Sequence, residues 1–204
     1  MRNALFLSAT LLLAAPAFAA DAPAPMVIPH GTSDYTKAVA GDYTLDQSHV
    51  GVLARVSHMG FSISIFRFGD VAAKLVWDPA APEKSSLTAT VKTASIETNV
   101  PGFAEELAGA KYLNAAQFPD ATFVSTAFHK IDATHAKVDG NFTLKGVTKP
   151  MTFDVTLIGA GPSFAGHSLG IHAEGFINPG DYSMGPFFKD PIQLVIDTEF
   201  GHKG

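Results

Sequence analysis

The chain has 204 residues, with 14 Lys and Arg against 19 Asp and Glu, a formal net charge of −5 and no cysteine. The acidic balance argues against nucleic acid as a partner, and the lack of cysteine excludes a disulfide scaffold and a thiolate metal site. A buried core must therefore hold the fold, and the length suits one domain.

The N-terminus has the pattern of a signal peptide. Residues 1–15 combine a positive end with an apolar run, and Ala19 and Ala20 close a short stretch suited to signal peptidase. We expect residues 1–20 to be removed and the mature chain to be periplasmic, without stable membrane insertion, because a membrane anchor needs a longer apolar span. Residues 21–41, broken by Pro and Gly, predict a flexible lead-in.

From residue 42 onwards, apolar and polar residues alternate with the period of two that marks β-strands. The connections are too short for parallel crossovers, so sequential antiparallel pairing is expected. The number of strands is near that at which a small barrel encloses one ligand. We predict an all-β domain over 42–204, an antiparallel barrel of about eight strands, with strands at 42–46, 50–58, 63–69, 71–78, 87–92, 121–131, 169–177 and 192–200 besides the hairpin that follows.

The strongest local signal is a hairpin that turns near Gly146. One side of its alternation is apolar and the other is polar, as expected for a strand pair with one buried face. The apolar side comprises Val138, Gly140, Phe142, Leu144, Met151, Phe153, Val155 and Leu157.

One segment, residues 101–116, lacks the alternation. It has acidic residues early and Lys111 late, and it places Phe103 and Leu107 one helical turn apart. We predict that it forms the one main helix, beside the barrel.

Residues 166–170 match the G-x-S-x-G nucleophile elbow of esterases. An elbow needs a strand before the serine and a helix after it, whereas here a Gly- and Pro-rich stretch precedes Ser168 and a predicted strand follows. Of the histidines downstream, His172 is too near and His202 lies in the terminal tail. No catalytic residue is assigned, and a secreted serine esterase remains an alternative.

The eight histidines could suggest a metal. Their spacings contain no H-x-x-x-H pair, and no cysteine is available as a soft ligand. We therefore predict neither a metal site nor a cofactor.

Five segments, taken in order, carry a family resemblance. They are Tyr43-Thr44-Leu45-Asp46-x-x-His49, Val56-Ser57-His58-Met59-Gly60-Phe61-Ser62, Ala94-Ser95-Ile96-Glu97-Thr98, Phe118-Pro119-x-x-x-Phe123-x-Ser125-Thr126 and Gly140-x-x-Thr143-Leu144-x-Gly146-Val147-Thr148-Lys149-Pro150. From about residue 41 to its end, the chain resembles the YceI family of periplasmic lipid- and polyisoprenoid-binding proteins.

The resemblance implies a lipocalin-like barrel around a long apolar tunnel, without catalysis, for a lipid tail such as a polyisoprenoid, an isoprenoid quinone or a fatty-acid derivative. A ligand-free interaction domain is the other alternative, and homodimer formation is left open. By family position, Asp46, His49 and His58 are candidates for a polar mouth. The candidate tunnel residues are Phe61, Ile63, Phe66, Phe68, Trp77, Val91, Phe103, Leu107, Phe123, Phe142 and Phe153.

The chain departs from the family pattern in one place. Where relatives commonly have Arg-x-Asp-Phe-Gly, residues 179–183 begin with Pro179 and end with Ser183. Because proline cannot donate a ladder hydrogen bond, the preceding strand should end by Asn178.

Overall fold

The alternating segments form the strands of one antiparallel sheet in the computed structural model, which describes residues 26–185 and 188–203. The predicted signal peptide, residues 1–20, lies outside the described residues. Short 3₁₀ helices occur at Tyr35–Lys37, Pro82–Lys84, Thr93–Ser95 and Pro179–Tyr182. The strands and the α-helix are β1 (Gly41–His58), β2 (Ser62–Phe68), β3 (Val71–Trp77), β4 (Ser86–Lys92), β5 (Ile96–Glu97), α1 (Phe103–Ala108), β6 (Asp120–Lys130), β7 (His135–Leu144), β8 (Val147–Ser163), β9 (Gly166–Ile177) and β10 (Ile192–His202).

The sheet closes into a barrel. Hydrogen-bonded strands follow one another around the barrel in the order β10, β9, β8, β7, β6, β4, β3, β1, and β1 pairs with β10 to complete the circle. Every pairing is antiparallel. The predicted barrel of about eight strands is confirmed, while β2 and β5 continue the sheet outside the circle.

The first strand is longer than predicted, because it joins the expected strands at 42–46 and 50–58. It pairs with β3 at Gly41–Thr44 and with β2 from Val52 onwards, and β10 runs along its other side. The register on β10 shifts between Leu45 and Val50. The residues between them bulge out of the ladder, as extra residues in one strand of a pair must.

The predicted hairpin is β7 and β8, which pair from Leu144 opposite Val147 onwards. Its two-residue turn has positive φ at Lys145 (52°) and Gly146 (75°), the conformation of the type I′ turns that match the twist of paired strands. Gly140 lies on the buried side, where a Cβ would lie 2.3 Å from Cζ of Phe123. The glycine therefore makes room for that ring inside the barrel.

The helix is shorter than predicted. It spans Phe103–Ala108 rather than 101–116, because Gly109 adopts an extended conformation and its N–H bonds to the Glu106 carbonyl at 3.1 Å. The chain then continues in turns that bury Tyr112 and Leu113.

The described part of the lead-in, residues 26–40, contacts the barrel although the sequence predicts flexibility. Thr32 and Ala160 exchange backbone hydrogen bonds of 3.0 and 2.8 Å. Ala38 is fully buried in a small apolar cluster with Tyr43 and Phe200. The lead-in thus packs on one end of the barrel.

The strand before Pro179 ends at Ile177, in line with the expected limit at Asn178. A 3₁₀ helix follows, and Ser183 ends it with φ 51° and ψ 45° in the left-handed region. Glycine adopts this conformation without the steric cost that a side chain pays there. This accounts for the glycine that the family pattern implies at this position.

Ser183→Gly is therefore expected to stabilise the protein by about 1 kcal/mol, because it removes left-handed strain at an exposed position. Urea denaturation followed by circular dichroism measures the change. As a control, Ser64→Gly in the middle of β2 should destabilise, since glycine weakens a regular strand. Equal losses of stability in both variants would contradict the argument.

Candidate functional site

The interior of the barrel holds an apolar cavity of about 220 Å³. Alternate residues of the closing strands point into it, as the period of a β-strand requires. Pairs of small residues, such as Ala73 opposite Ala89, leave space that larger side chains would fill. The wall includes Leu45, Val50, Val52, Val71, Ala73, Leu75, Trp77, Leu87, Ala89, Val91, Phe123, Phe128, Val138, Phe142, Phe153, Val155, Leu157, Ile171, Leu194, Ile196, Thr198 and Phe200.

The cavity reaches the surface at the end of the barrel where β6 turns into β7. There its lining includes exposed residues of that turn, Lys130, Asp132 and His135, together with Tyr35 of the lead-in and Pro82 of the β3–β4 connection. We call these five residues the mouth. They come from three separate parts of the chain.

Tyr35 ties the lead-in to the mouth. Lys130 Nζ donates a hydrogen bond of 2.7 Å to the Tyr35 hydroxyl and lies 4.5 Å from the centre of the ring. The ring also meets Trp77 edge to face, with centroids 6.1 Å apart. Such a contact contributes a fraction of a kcal/mol up to about 1.5 kcal/mol, so the lead-in shapes the opening.

Asp132 fixes the β6–β7 turn. Its Oδ1 accepts hydrogen bonds of 2.8 Å from the N–H groups of Thr134 and His135. The Thr134 N–H, together with the His135 side chain, lowers the pKa of Asp132 to about 2. Because this pKa is lowered, the charged Asp132 stabilises the turn fully at any pH above the ordinary carboxyl pKa of 3.8. The stabilisation is lost as the pH falls from 3.8 to about 2. The turn therefore stays pinned at neutral pH.

The other end of the barrel is filled by side chains that pack below the cavity. Tyr182 meets Phe142 edge to face, with centroids 5.9 Å apart, and Phe66 meets Phe103 of α1 at 6.1 Å. We call this cluster the plug. It contains Phe66, Ile96, Leu107, Tyr112, Leu113, Tyr182, Met184 and Ile192, with Phe68 and Phe103 packed against it.

The eleven predicted tunnel residues fall into three places. Five line the cavity: Trp77, Val91, Phe123, Phe142 and Phe153. Four belong to the plug or pack on it: Phe66, Phe68, Phe103 and Leu107.

Phe61 and Ile63 do not lie inside the barrel, so their assignment to the tunnel is corrected. Phe61, at the tip of the β1–β2 hairpin, is 87% exposed, and Ile63 is 51% exposed. On β2 the buried position is Phe66, whereas Ile63 and Ile65 are exposed. The two-residue alternation along a strand identifies which residues share a face, but it does not say which face lies inside the barrel.

The predicted mouth residues also lie elsewhere. Asp46 and His49 sit in the β1 bulge, where their side chains pair at 2.9 Å on the surface. The pairing lowers the pKa of Asp46 and raises that of His49. His58 ends β1 beside the β1–β2 turn, and none of the three lines the cavity. Between two apolar strands, the polar residues Lys130, Asp132, Thr134 and His135 were the sequence signal for the mouth.

Ser168 does not sit on a nucleophile elbow. It lies within β9, paired with Gly161 on β8 and Gly201 on β10, and no helix follows it. Among the described residues, no hydrogen bond joins its hydroxyl to an imidazole; His172 instead bonds to Asp197 at 2.7 Å and to Glu174 at 3.2 Å. The serine lacks the geometry of an activated nucleophile.

Within the part of the chain that the structure describes, no helix is long and apolar enough to cross a membrane.

The model of the YceI-like domain matches residues 43–200. Protein YceI of Salmonella arizonae is 34% identical over 169 residues, which cover 79% of this chain and 87% of that protein. Protein YceI of Salmonella paratyphi B matches equally well.

Solved structures share the fold. BcnA of Burkholderia cenocepacia matches with a TM-score of 0.69 at 23% identity, over 76% of this chain and 98% of BcnA. The YCEI protein of Campylobacter jejuni matches with a TM-score of 0.66 at 28% identity, over 73% of this chain and 91% of that protein. A polyisoprenoid binding domain from Saccharophagus degradans matches with a TM-score of 0.53 at 10% identity, over 79% of this chain and 98% of that domain. The closed eight-stranded barrel, the family model and the curated relatives agree, and the chain belongs to the YceI-like family.

Proposed function

We propose that the protein binds and carries the hydrocarbon tail of a long-chain lipid in its barrel, without catalysing a reaction on it. The observation that carries the proposal is the cavity itself. Its wall is built almost wholly from apolar side chains, one end is closed by the plug, and the other opens at the mouth. Such a wall replaces water around an apolar chain, which is the main source of affinity for hydrophobic ligands.

Two observations support the class of ligand and the location. A solved protein with the same fold is described as a polyisoprenoid binding domain. The residues 1–20 have the pattern of a signal peptide, which supports export to the periplasm. An isoprenoid or a fatty-acid derivative fits the proposal equally, because both present a long apolar tail.

The size of the cavity limits the length of tail that it can enclose. A cavity of about 150 Å³ holds benzene, so about 220 Å³ accommodates on the order of nine carbon atoms. Each buried methylene contributes about 0.8 kcal/mol, so a tail that fills the cavity gains on the order of 7 kcal/mol before the cost of immobilising the ligand is subtracted.

A chain-length series tests the proposal. The mature protein, stripped of lipid by organic washing and refolding, is titrated with fatty alcohols of 8 to 24 carbons in competition with a fluorescent tail probe. We expect affinity to rise by a few-fold per added methylene and to level off once the tail is longer than the cavity can enclose. Absence of binding at every length would overturn the proposal and favour a ligand-free interaction domain.

A further inference from the structure

One side chain of the mouth, Lys130, places a positive charge beside the apolar cavity. It is the last residue of β6 and lines the opening. Among the described residues, no carboxylate oxygen lies within 4.0 Å of its Nζ, and the one hydrogen bond that Nζ donates goes to the Tyr35 hydroxyl. An ammonium group has three N–H donors. Because the side chain is exposed, the other two are open to a ligand.

Tyr35 holds this ammonium group in place. The hydroxyl accepts its hydrogen bond at 2.7 Å, and the ring centre lies 4.5 Å from Nζ, a distance at which the face of the ring attracts a cation. A side chain that is ordered before binding loses less entropy when the ligand arrives. The tyrosine hydroxyl accepts from Lys130 and still has its own O–H to donate. Two donors 2.7 Å apart can therefore serve one anionic group.

The carboxylates near the mouth are engaged by their own segments. Asp132 Oδ1 accepts hydrogen bonds of 2.8 Å from the N–H groups of Thr134 and His135, and both of its oxygens lie 2.9 Å from His135 Nδ1. In the lead-in, Asp34 Oδ1 accepts hydrogen bonds from the N–H and the hydroxyl of Thr36. Neither carboxylate neutralises the ammonium group, so that charge is left for a partner from outside the protein.

The shape of the cavity brings the head group of a ligand to the same place. The plug fills the far end of the barrel, so a tail must enter through the mouth. A polar head group stays at the opening, because moving it into an apolar interior without partners costs free energy. A ligand whose tail fills the cavity therefore leaves its head group beside Lys130 and Tyr35.

We propose that the natural ligand carries an anionic head group, a carboxylate or a phosphate, at the end of its tail, and that Lys130 and Tyr35 bind this head group at the mouth. The inference rests on the proposed function, because it requires the tail to occupy the cavity. It narrows the ligand from a long-chain lipid of any kind to an anionic one.

Ligands with one kind of tail and different head groups test the inference. The delipidated protein is titrated at neutral pH with decanoate, methyl decanoate, decyl phosphate and decyltrimethylammonium, in competition with a fluorescent tail probe. Lys130→Met keeps an apolar stem without the charge, and it should bind both anions about three- to tenfold more weakly than wild type. Its affinity for the methyl ester should stay the same. The anion that wild type binds more tightly identifies the head group as a carboxylate or a phosphate.

Two further variants separate the charge at the mouth from other effects. Lys74→Met removes the same charge from the exposed outer face of β3 and should leave the affinity for each ligand unchanged. Tyr35→Phe keeps the ring but removes the hydroxyl, so it should weaken decanoate binding by less than Lys130→Met does. In about 1 M salt, where the screening length is about 3 Å, wild type should lose part of its advantage over Lys130→Met for the anions.

Equal affinity of wild type and Lys130→Met for both anions would overturn the inference. An equal loss for the methyl ester or for decyltrimethylammonium would also overturn it, because it would show that the lysine contributes only its apolar stem. Failure of wild type to bind any of the four ligands would instead overturn the proposed function itself.

Discussion

Phe142→Asp is expected to lower the free energy of unfolding by at least about 3–5 kcal/mol, the cost of removing a large buried aromatic side chain. Phe142 is 9% exposed, lines the cavity and packs on Tyr182 of the plug. The new carboxylate would replace the ring among the apolar side chains of the cavity wall, and the cost of removing it from water adds to the loss. Because small domains have only about 5–15 kcal/mol in total, we expect unfolding or complete loss of bound lipid.

The matched control is Asn141→Asp, one residue earlier on β7. Asn141 is exposed, so the same charge should change stability by about 0.5 kcal/mol or less. Urea denaturation followed by circular dichroism compares the two variants. A Phe142→Asp protein that is folded as stably as wild type and keeps its lipid would remove Phe142 from the interior.

Ala73→Phe is expected to abolish lipid binding while the barrel remains folded. Ala73 lies on β3 opposite Ala89, and both line the cavity, so an aromatic ring at this position would occupy space meant for the ligand. If the ring displaces about four tail carbons at ~0.8 kcal/mol each, affinity falls by about 3 kcal/mol, more than a hundredfold. Titration with a fluorescent tail probe measures the loss.

Ala72→Phe provides the control for this prediction. Ala72 is the preceding residue of β3 and is exposed on the outer face, so its substitution should leave affinity unchanged. Equal binding by both variants would show that the tail does not occupy the space beside Ala73. Equal loss in both would point to damage to the strand rather than to filling of the cavity.

Alternation along the strands predicted most of the fold, because in a closed barrel every strand has one buried and one exposed face. It therefore placed Phe142 and Phe153 on the apolar side of the hairpin, and both line the cavity. The helix was predicted too long, since Gly109 ends it and nothing in the composition of the following residues opposes a helix strongly.

The division between cavity and plug could not be predicted in the same way. Phe66 and Phe68 have the same alternation as wall residues, but β2 lies outside the closed circle and its side chains pack with Phe103 and the plug. Which strand closes a barrel depends on long-range pairing, here β1 with β10, that no local pattern encodes.

The mouth was missed for a related reason. It depends on the contact of Tyr35 with Lys130, two residues 95 positions apart, and on a lead-in whose composition suggests flexibility.

The central claim is that the cavity holds a lipid, and it is tested most directly by extracting the purified protein with organic solvent and identifying the extract by mass spectrometry. The protein is expressed with its full sequence and collected from the periplasm. We predict about one long-chain lipid per chain in wild type and in Ala72→Phe, and none in Ala73→Phe. A wild-type protein that is folded and yields no lipid, or an Ala73→Phe protein that yields as much as wild type, would contradict the claim.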